Sequence, residues 1–529
     1  MISFKDARRK LVLPTWFDFG GAAKRGELAW PRKKQFNLND RDQARFETAI
    51  VEFKAFPTGH VASDLFGFAL SIGREDIARE AAHTLIQIGG IQPVARELAQ
   101  RYLLQAERGV MLDWKEQVRT IRKLLSSNPR NPIAWVERAR AYTVLGQWKQ
   151  AEHALDMALR LAPDNRYVLR SLARFYIHID APEVAWKIFR RTGSVESDPW
   201  LKSCEINLAV LAEKAPKRIP REDLGEVLQG DAFFYSELLE SVGMVHLLNG
   251  KDKHARKVFE MAWKAASHNV VTHGEWVTRH HFPALEEKIS GKFNESLEAL
   301  TFSSYFAEDI DAAARSAADW TFEEPYSTKP VSMAAYLASL RGEYAVSEQF
   351  ARRGLDSNPE DVGLRNNLVF ALLKKGSVEE AERQQPCLPP QGIRNQICYI
   401  ATQGLLNFKK GNAEVGRCLY AEAIGLAEKE KHLRLLSMAR LNLALAELES
   451  GGVDAARAVT EIVGQVSEDK NPDVRFLRKR VETGMENLFA IGAGEKPPTE
   501  LSLSSSERNL AQAPAGIGGK LLSLFRRKD

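Results

Sequence analysis

Residues 132–165 read PIAWVERARAYTVLGQWKQAEHALDMALRLAPDN, and their spacing decides the fold. Counting Pro132 as position 1, Trp135, Ala139 and Tyr142 fall at positions 4, 8 and 11. Ala151, Leu155 and Ala158 fall at positions 20, 24 and 27. Each set marks one face of a helix, so the stretch predicts two helices packed on each other. Small residues at positions 8 and 20 let the pair approach closely, while the aromatics fill the groove between neighbouring pairs. Pro163, at position 32, stops the second helix before the next begins. The following 34 residues repeat the pattern with Leu169, Leu172, Ala173, Tyr176, Ala185 and Phe189.

This pattern resembles the tetratricopeptide repeat, a 34-residue pair of antiparallel helices, with Arg138 where that family usually has leucine. The same frame recurs upstream at Leu65, Phe68, Ala69, Ile72, Ala81 and Leu85. It recurs downstream from Leu239, from Ala334 and again from Leu368, with weaker units around Gly404 and Leu443. Period-2 alternation is scarce throughout, which argues against a sheet. The resemblance implies an all-α, right-handed superhelical solenoid whose helix pairs bury surface only against their neighbours.

The interval from Leu239 to Val331 is 92 residues, which is not a multiple of 34, so the array is expected to break within 270–327. Five regions follow: a basic, aromatic N-terminal extension with a first helix (1–60), an N-terminal repeat block (61–269), an irregular helical junction (270–327), a C-terminal block (328–490) and a tail (491–529). The tail is rich in Gly, Pro, Ser and Ala and is expected to stay disordered. It ends in the short LLSLFRRKD.

Of the net charge of +5, residues 1–34 carry +6 and the last ten carry +3, leaving the body at about −4. A continuous basic stripe for nucleic acid is therefore not expected, although basic termini gripping phosphates remain the alternative reading. A second alternative is a regulatory sensor built on the same repeats. The known type begins with a helix-turn-helix, whereas residues 1–60 show one clear helix near 39–55. No run of about 18 apolar residues could cross a membrane. The N-terminus lacks an apolar run of signal-peptide length, so a cytoplasmic location is the expectation. Trp16, Phe17 and Phe19, interleaved with Lys24 and Arg25, either strap down over the first helices or dock on an anionic surface.

Motifs for chemistry are missing. Six histidines fall between His246 and His281, but His273 and His280 are two helical turns apart, too far to share one ion. The four cysteines show no paired spacing. GIGGK at 516–520 fails as a phosphate loop, because Pro514 stands where its first glycine belongs and Leu521 follows the lysine. No catalytic residue, metal or cofactor is expected.

In the family the chain resembles, the first helix of each pair lines a concave groove. The matching positions here supply Arg140, Tyr167, Arg170, Arg174 and His178, which suit an acidic partner segment because arginine pairs carboxylates bidentately. Val136 and Arg140 stand where relatives that clamp a C-terminal carboxylate carry lysine and asparagine. The second block offers a more apolar lining, with Tyr336, Asn366, Phe370 and Phe408, suited to an amphipathic helix or to the chain's own tail. That tail could equally touch an anionic membrane. The expected function is a non-enzymatic scaffold or adaptor that binds protein segments in its groove and helps assemble a complex.

Overall fold

A computed structural model describes residues 11–27, 40–71, 75–88, 95–96, 99, 103, 113–214, 232–385, 391–450, 455–466 and 471–492. Every regular element among the described residues is a helix. The outer ends of the basic extension (1–10 and 28–39), residues 215–231 and the expected disordered tail beyond 492 lie outside them.

The chain divides into two compact units between Ala299 and Leu300. In the first unit a short helix α1 (Phe19–Lys24) precedes α2 (Asp40–Ala55), α3 (Gly59–Ser71), α4 (Glu75–Gln87) and α5 (Trp114–Ser127). The repeat frame then unfolds as α6 (Pro132–Val144), α7 (Trp148–Leu161), α8 (Arg166–His178), α9 (Pro182–Phe189) and α10 (Pro199–Leu211). It continues with α11 (Ala232–Leu248), α12 (Asp252–Ala262) and α13 (His268–His280). First helices thus start at 132, 166, 199, 232 and 268, in steps of 34, 33, 33 and 36.

Local chemistry sets these starts. The side-chain oxygen of Asn131 accepts the Ala134 amide at 3.1 Å, and Pro132 occupies the first turn, where its missing N–H costs nothing. Asn165 caps α8 the same way at 3.2 Å. Asp198 caps α10 ahead of Pro199, accepting Trp200 N at 2.9 Å and Leu201 N at 3.3 Å. Ala139, Ala151, Ala173 and Ala185, at repeat positions 8 and 20, are all fully buried, so the predicted close approach of paired helices is present.

Within 270–327 the chain keeps pairing helices but shortens the step. After α13, two 3-10 stretches, Pro283–Lys288 and Ser290–Glu295, stand where the second helix of a pair would be. Pro283, in the first turn of that stretch, has no amide proton to give to an α-helical ladder. α14 (Leu297–Phe306) and α15 (Ile310–Glu323) follow.

The second unit continues with α16 (Thr328–Arg341), α17 (Tyr344–Ser357), α18 (Val362–Lys374), α19 (Val378–Gln384), α20 (Ile393–Lys409) and α21 (Ala413–Lys429). It ends with α22 (Leu433–Ser450), α23 (Ala455–Gly464) and α24 (Pro472–Gly492). One buried cluster joins Ala313, Leu337 and Leu340 to Leu441, Val474, Leu477 and Val481. The last helix therefore packs against helices far upstream in the sequence.

Candidate functional site

The first-helix faces of the first unit are charged and buried. Glu137 on α6, Arg166 and Arg170 on α8, Asp198 at the start of α10 and Glu237 on α11 are each 5% exposed or less. Most of these charges are paired with one another. Arg166 Nε donates to Asp198 at 2.5 Å. Arg170 grips both Glu237 oxygens through Nη1 at 2.7 Å and Nη2 at 3.2 Å. The Tyr167 hydroxyl donates to Glu137 at 2.7 Å, and Asn269 Nδ2 donates to Glu237 at 2.7 Å.

Against this face lies the chain's own segment 11–27. Leu11, Val12, Trp16, Phe17 and Ala22 are each 5% exposed or less, as inaccessible as core residues. Burying each large apolar side chain stabilises the seat by roughly 1.5–3 kcal/mol. The Trp16 ring meets Phe175 edge-on at 6.4 Å, Phe17 meets His268 at 5.2 Å, and Phe19 meets Tyr167 at 5.6 Å. Gly26, at φ +71°, brings the backbone so near Phe233 that an added Cβ would stand 3.1 Å from the ring.

Polar side chains of the face reach the segment's main chain. Arg140 Nε donates to Trp16 O at 3.1 Å and Asn207 Nδ2 to Val12 O at 2.6 Å, while the Tyr167 hydroxyl, whose proton is shared with the nearer Glu137, lies 3.1 Å from Phe17 O. Arg166 Nη1 donates to Glu27 O at 3.3 Å. In the other direction Phe19 N donates to Glu137 at 2.8 Å, and Thr15 N to Asn269 Oδ1 at 3.1 Å. A side-chain charge pair joins Glu27 to Arg170 Nε at 3.5 Å. Burial pushes the Glu27 carboxyl up to about 7; the Arg170 charge pulls it back only in part, and Glu237 opposes that pull.

Segment 11–27 of the aromatic extension thus sits mainly on helices 132–280, not only over the first helices, where one of the two expectations put it. Among the residues expected to take an acidic partner segment, Arg140, Tyr167 and Arg170 lie under 11–27, and the carboxylates at Arg170 are the chain's own Glu27 and Glu237. Arg174 and His178 are half-buried further along α8, with the His178 ring edge-on to Trp148 at 6.4 Å. Sequence reasoning offers Glu137 only as a partner for the arginines of this face and misses Asn207, Glu237 and Asn269. Counted from each first-helix start, the position of Glu137 is taken by Ser171, Cys204, Glu237 and His273, so the repeat register could have found Glu237 but not Asn207 or Asn269.

In the second unit the expected lining is divided. The Tyr336 hydroxyl donates to the Asp473 carboxylate on α24, and Arg434 donates to the same group. Burial alone would raise the Asp473 pKa, but Arg434 and the hydroxyls of Tyr336 and Tyr305 outweigh it and hold the carboxyl below its usual range. Asn366 Oδ1 accepts the Thr402 hydroxyl at 3.0 Å, between helices. Phe370 lies edge-on to Tyr344 at 6.4 Å. Phe408 packs on Tyr420 at 6.1 Å, so near Gly416 that a Cβ there would be 2.5 Å from its ring. Tyr336 meets an amphipathic element of the chain itself, helix 472–492; the LLSLFRRKD end lies outside the described residues.

The clustered histidines are engaged in packing. His273 Nδ1 contacts Glu240 at 2.7 Å, and His280 stacks on Trp276 at 5.0 Å. Among the described residues no three His, Cys, Asp or Glu side chains are grouped to hold a metal ion, and no helix is long and apolar enough to cross a membrane.

Residues 118–178 match the tetratricopeptide repeat family model. No curated protein matches the chain. Among solved structures, yeast Tom70 aligns at 15% identity over 89% of this chain and 99% of that one, with a TM-score of 0.28. The Naa15/Naa10 complex bound to HypK-THB aligns at 12% identity over 92% and 93%, with a TM-score of 0.25. A circular tandem repeat protein with novel repeat topology aligns at 16% identity over 85% and 90%, at 0.14.

Proposed function

We propose that this chain, whose residues 118–178 are tetratricopeptide repeats, is a non-enzymatic protein-interaction scaffold that seats polypeptide segments on its first-helix faces. One observation carries the reading. The face spanning Glu137 to Asn269 holds a non-repeat segment through hydrogen bonds to that segment's backbone, which is how a surface grips extended chain of varied sequence. Charges paired within the helices give such a surface a fixed shape before anything binds. Assembly of a larger complex in the cytoplasm is the setting this reading assigns to the protein.

The test is capture of the intact chain from its own cells after in-cell crosslinking. The scaffold reading expects a defined set of proteins crosslinked to peptides of the repeat helices. Recovery of the chain alone, or of nucleic acid whose retention falls steeply with salt, contradicts it.

A further inference from the structure

Segment 11–27 is placed like a ligand. Its buried side chains are largely apolar, yet the face beneath them carries Glu137, Arg140, Arg166, Arg170, Glu237 and Asn269. A surface covered once and for all during folding is more stable when it is apolar, because each buried charge must recover a desolvation cost of several kcal/mol. Most of the costly groups are already partnered without the segment, through Arg166–Asp198, Arg170–Glu237, Tyr167–Glu137 and Asn269–Glu237, while Arg140 Nε donates to Trp16 O of the segment. What the segment receives is the remaining capacity: Arg140 Nε, Arg170 Nε, Arg166 Nη1, one Asn207 donor, and oxygens of Asn269 and Glu137. Removing the segment would leave a polar face that water can cover, with its ion pairs intact.

We infer that segment 11–27 is an exchangeable resident of this face. The face releases it to take a partner segment of the same chemistry: adjacent aromatics followed further along by a carboxyl group. Trp16 and Phe17 supply the aromatic pair and Glu27 the carboxyl group in the resident. The chain thereby competes with its own partners, and a partner must displace the segment to bind. The inference rests on the scaffold reading for its biological use, but its test involves no partner, so the two can fail separately.

The probe is a fluorescent peptide with the sequence of residues 11–27, added in excess to the full-length protein. The inference expects slow, saturable capture of the peptide. A peptide carrying Trp16→Ala and Phe17→Ala should bind at least about tenfold more weakly. Native-state hydrogen exchange on the unmodified chain supplies a second measurement that needs no variant. The amides of Thr15 and Phe19 should be at least about tenfold less protected than those of Leu169–Ala173, because the segment opens without unfolding α8. No capture of the peptide, together with protection of 11–27 equal to that of α8, overturns the inference and makes the segment a fixed part of the core. Capture that is indifferent to the aromatic substitutions overturns the stated partner chemistry.

Discussion

Asp198 joins two functions in one side chain. One oxygen caps α10 and the other holds Arg166, and the residue is fully buried. Asp198→Ala should cost about 3–5 kcal/mol, because it leaves a buried guanidinium unpaired and uncaps a helix. Asp198→Asn should cost less, since the cap survives. Urea unfolding of the two variants checks the order, and equal midpoints would contradict the pairing. Glu27 makes a prediction about pH. Its pKa rises from 4.5 free to about 7 in place, so seating favours the protonated form. Its contribution is complete below pH 4.5 and is lost as pH rises through about 7. Protection of the segment's amides, corrected for intrinsic exchange, should therefore be greater at pH 5 than at pH 8. Glu27→Gln should flatten that dependence; an unchanged slope in the variant would mean that another group carries it.

At the scale of elements, the repeat pattern was legible because each helix pair is specified within a single repeat: alanines at positions 8 and 20, Asn or Asp caps, and proline at the breaks. The close approach of α20 and α21 comes from the same rule taken to its limit. A Cβ at Gly404 would meet the Tyr420 ring at 2.7 Å and the Gly416 carbonyl oxygen at 3.1 Å. Gly404→Ala should therefore destabilise the second unit by about 1–3 kcal/mol, despite alanine's better helix propensity. A thermal melt that rises with this substitution would contradict the packing. The seat of segment 11–27 was not legible in the same way. Its hydrogen bonds join residues far apart in the sequence, such as Phe19 with Glu137 and Thr15 with Asn269, and no local pattern encodes such pairings. Arg140, Tyr167 and Arg170 could be placed on the correct face from spacing alone. That the face was covered from within could not be read from it. The 92-residue interval pointed to a break within 270–327, but the 3-10 stretches after α13 could not be read from the frame, because they carry no helical repeat of their own.

At the scale of the molecule, each unit has an element of its own chain on first-helix positions: segment 11–27 on α6 to α13, and α24 on α16. The second arrangement is anchored by Asp473 with Tyr336 and Arg434, and by Arg480, whose Nη1 donates to Leu340 O at 2.9 Å. Arg434→Ala leaves the buried Asp473 carboxylate with hydroxyl partners but without the cation that pairs it. That variant should expose α24 to limited proteolysis before the rest of the second unit; cleavage at the wild-type rate would contradict the clasp. In the first unit residues 11–27 occupy the face running from Glu137 to Asn269. The most direct measurement of this seating is residue-resolved hydrogen exchange at the Phe19 amide, whose acceptor is the distant Glu137 carboxylate. A seated segment gives clear protection of this amide in the intact chain, reduced by Glu137→Ala while α8 keeps its own. Exchange at the rate of an unstructured peptide would contradict the account, because the segment would then not be seated.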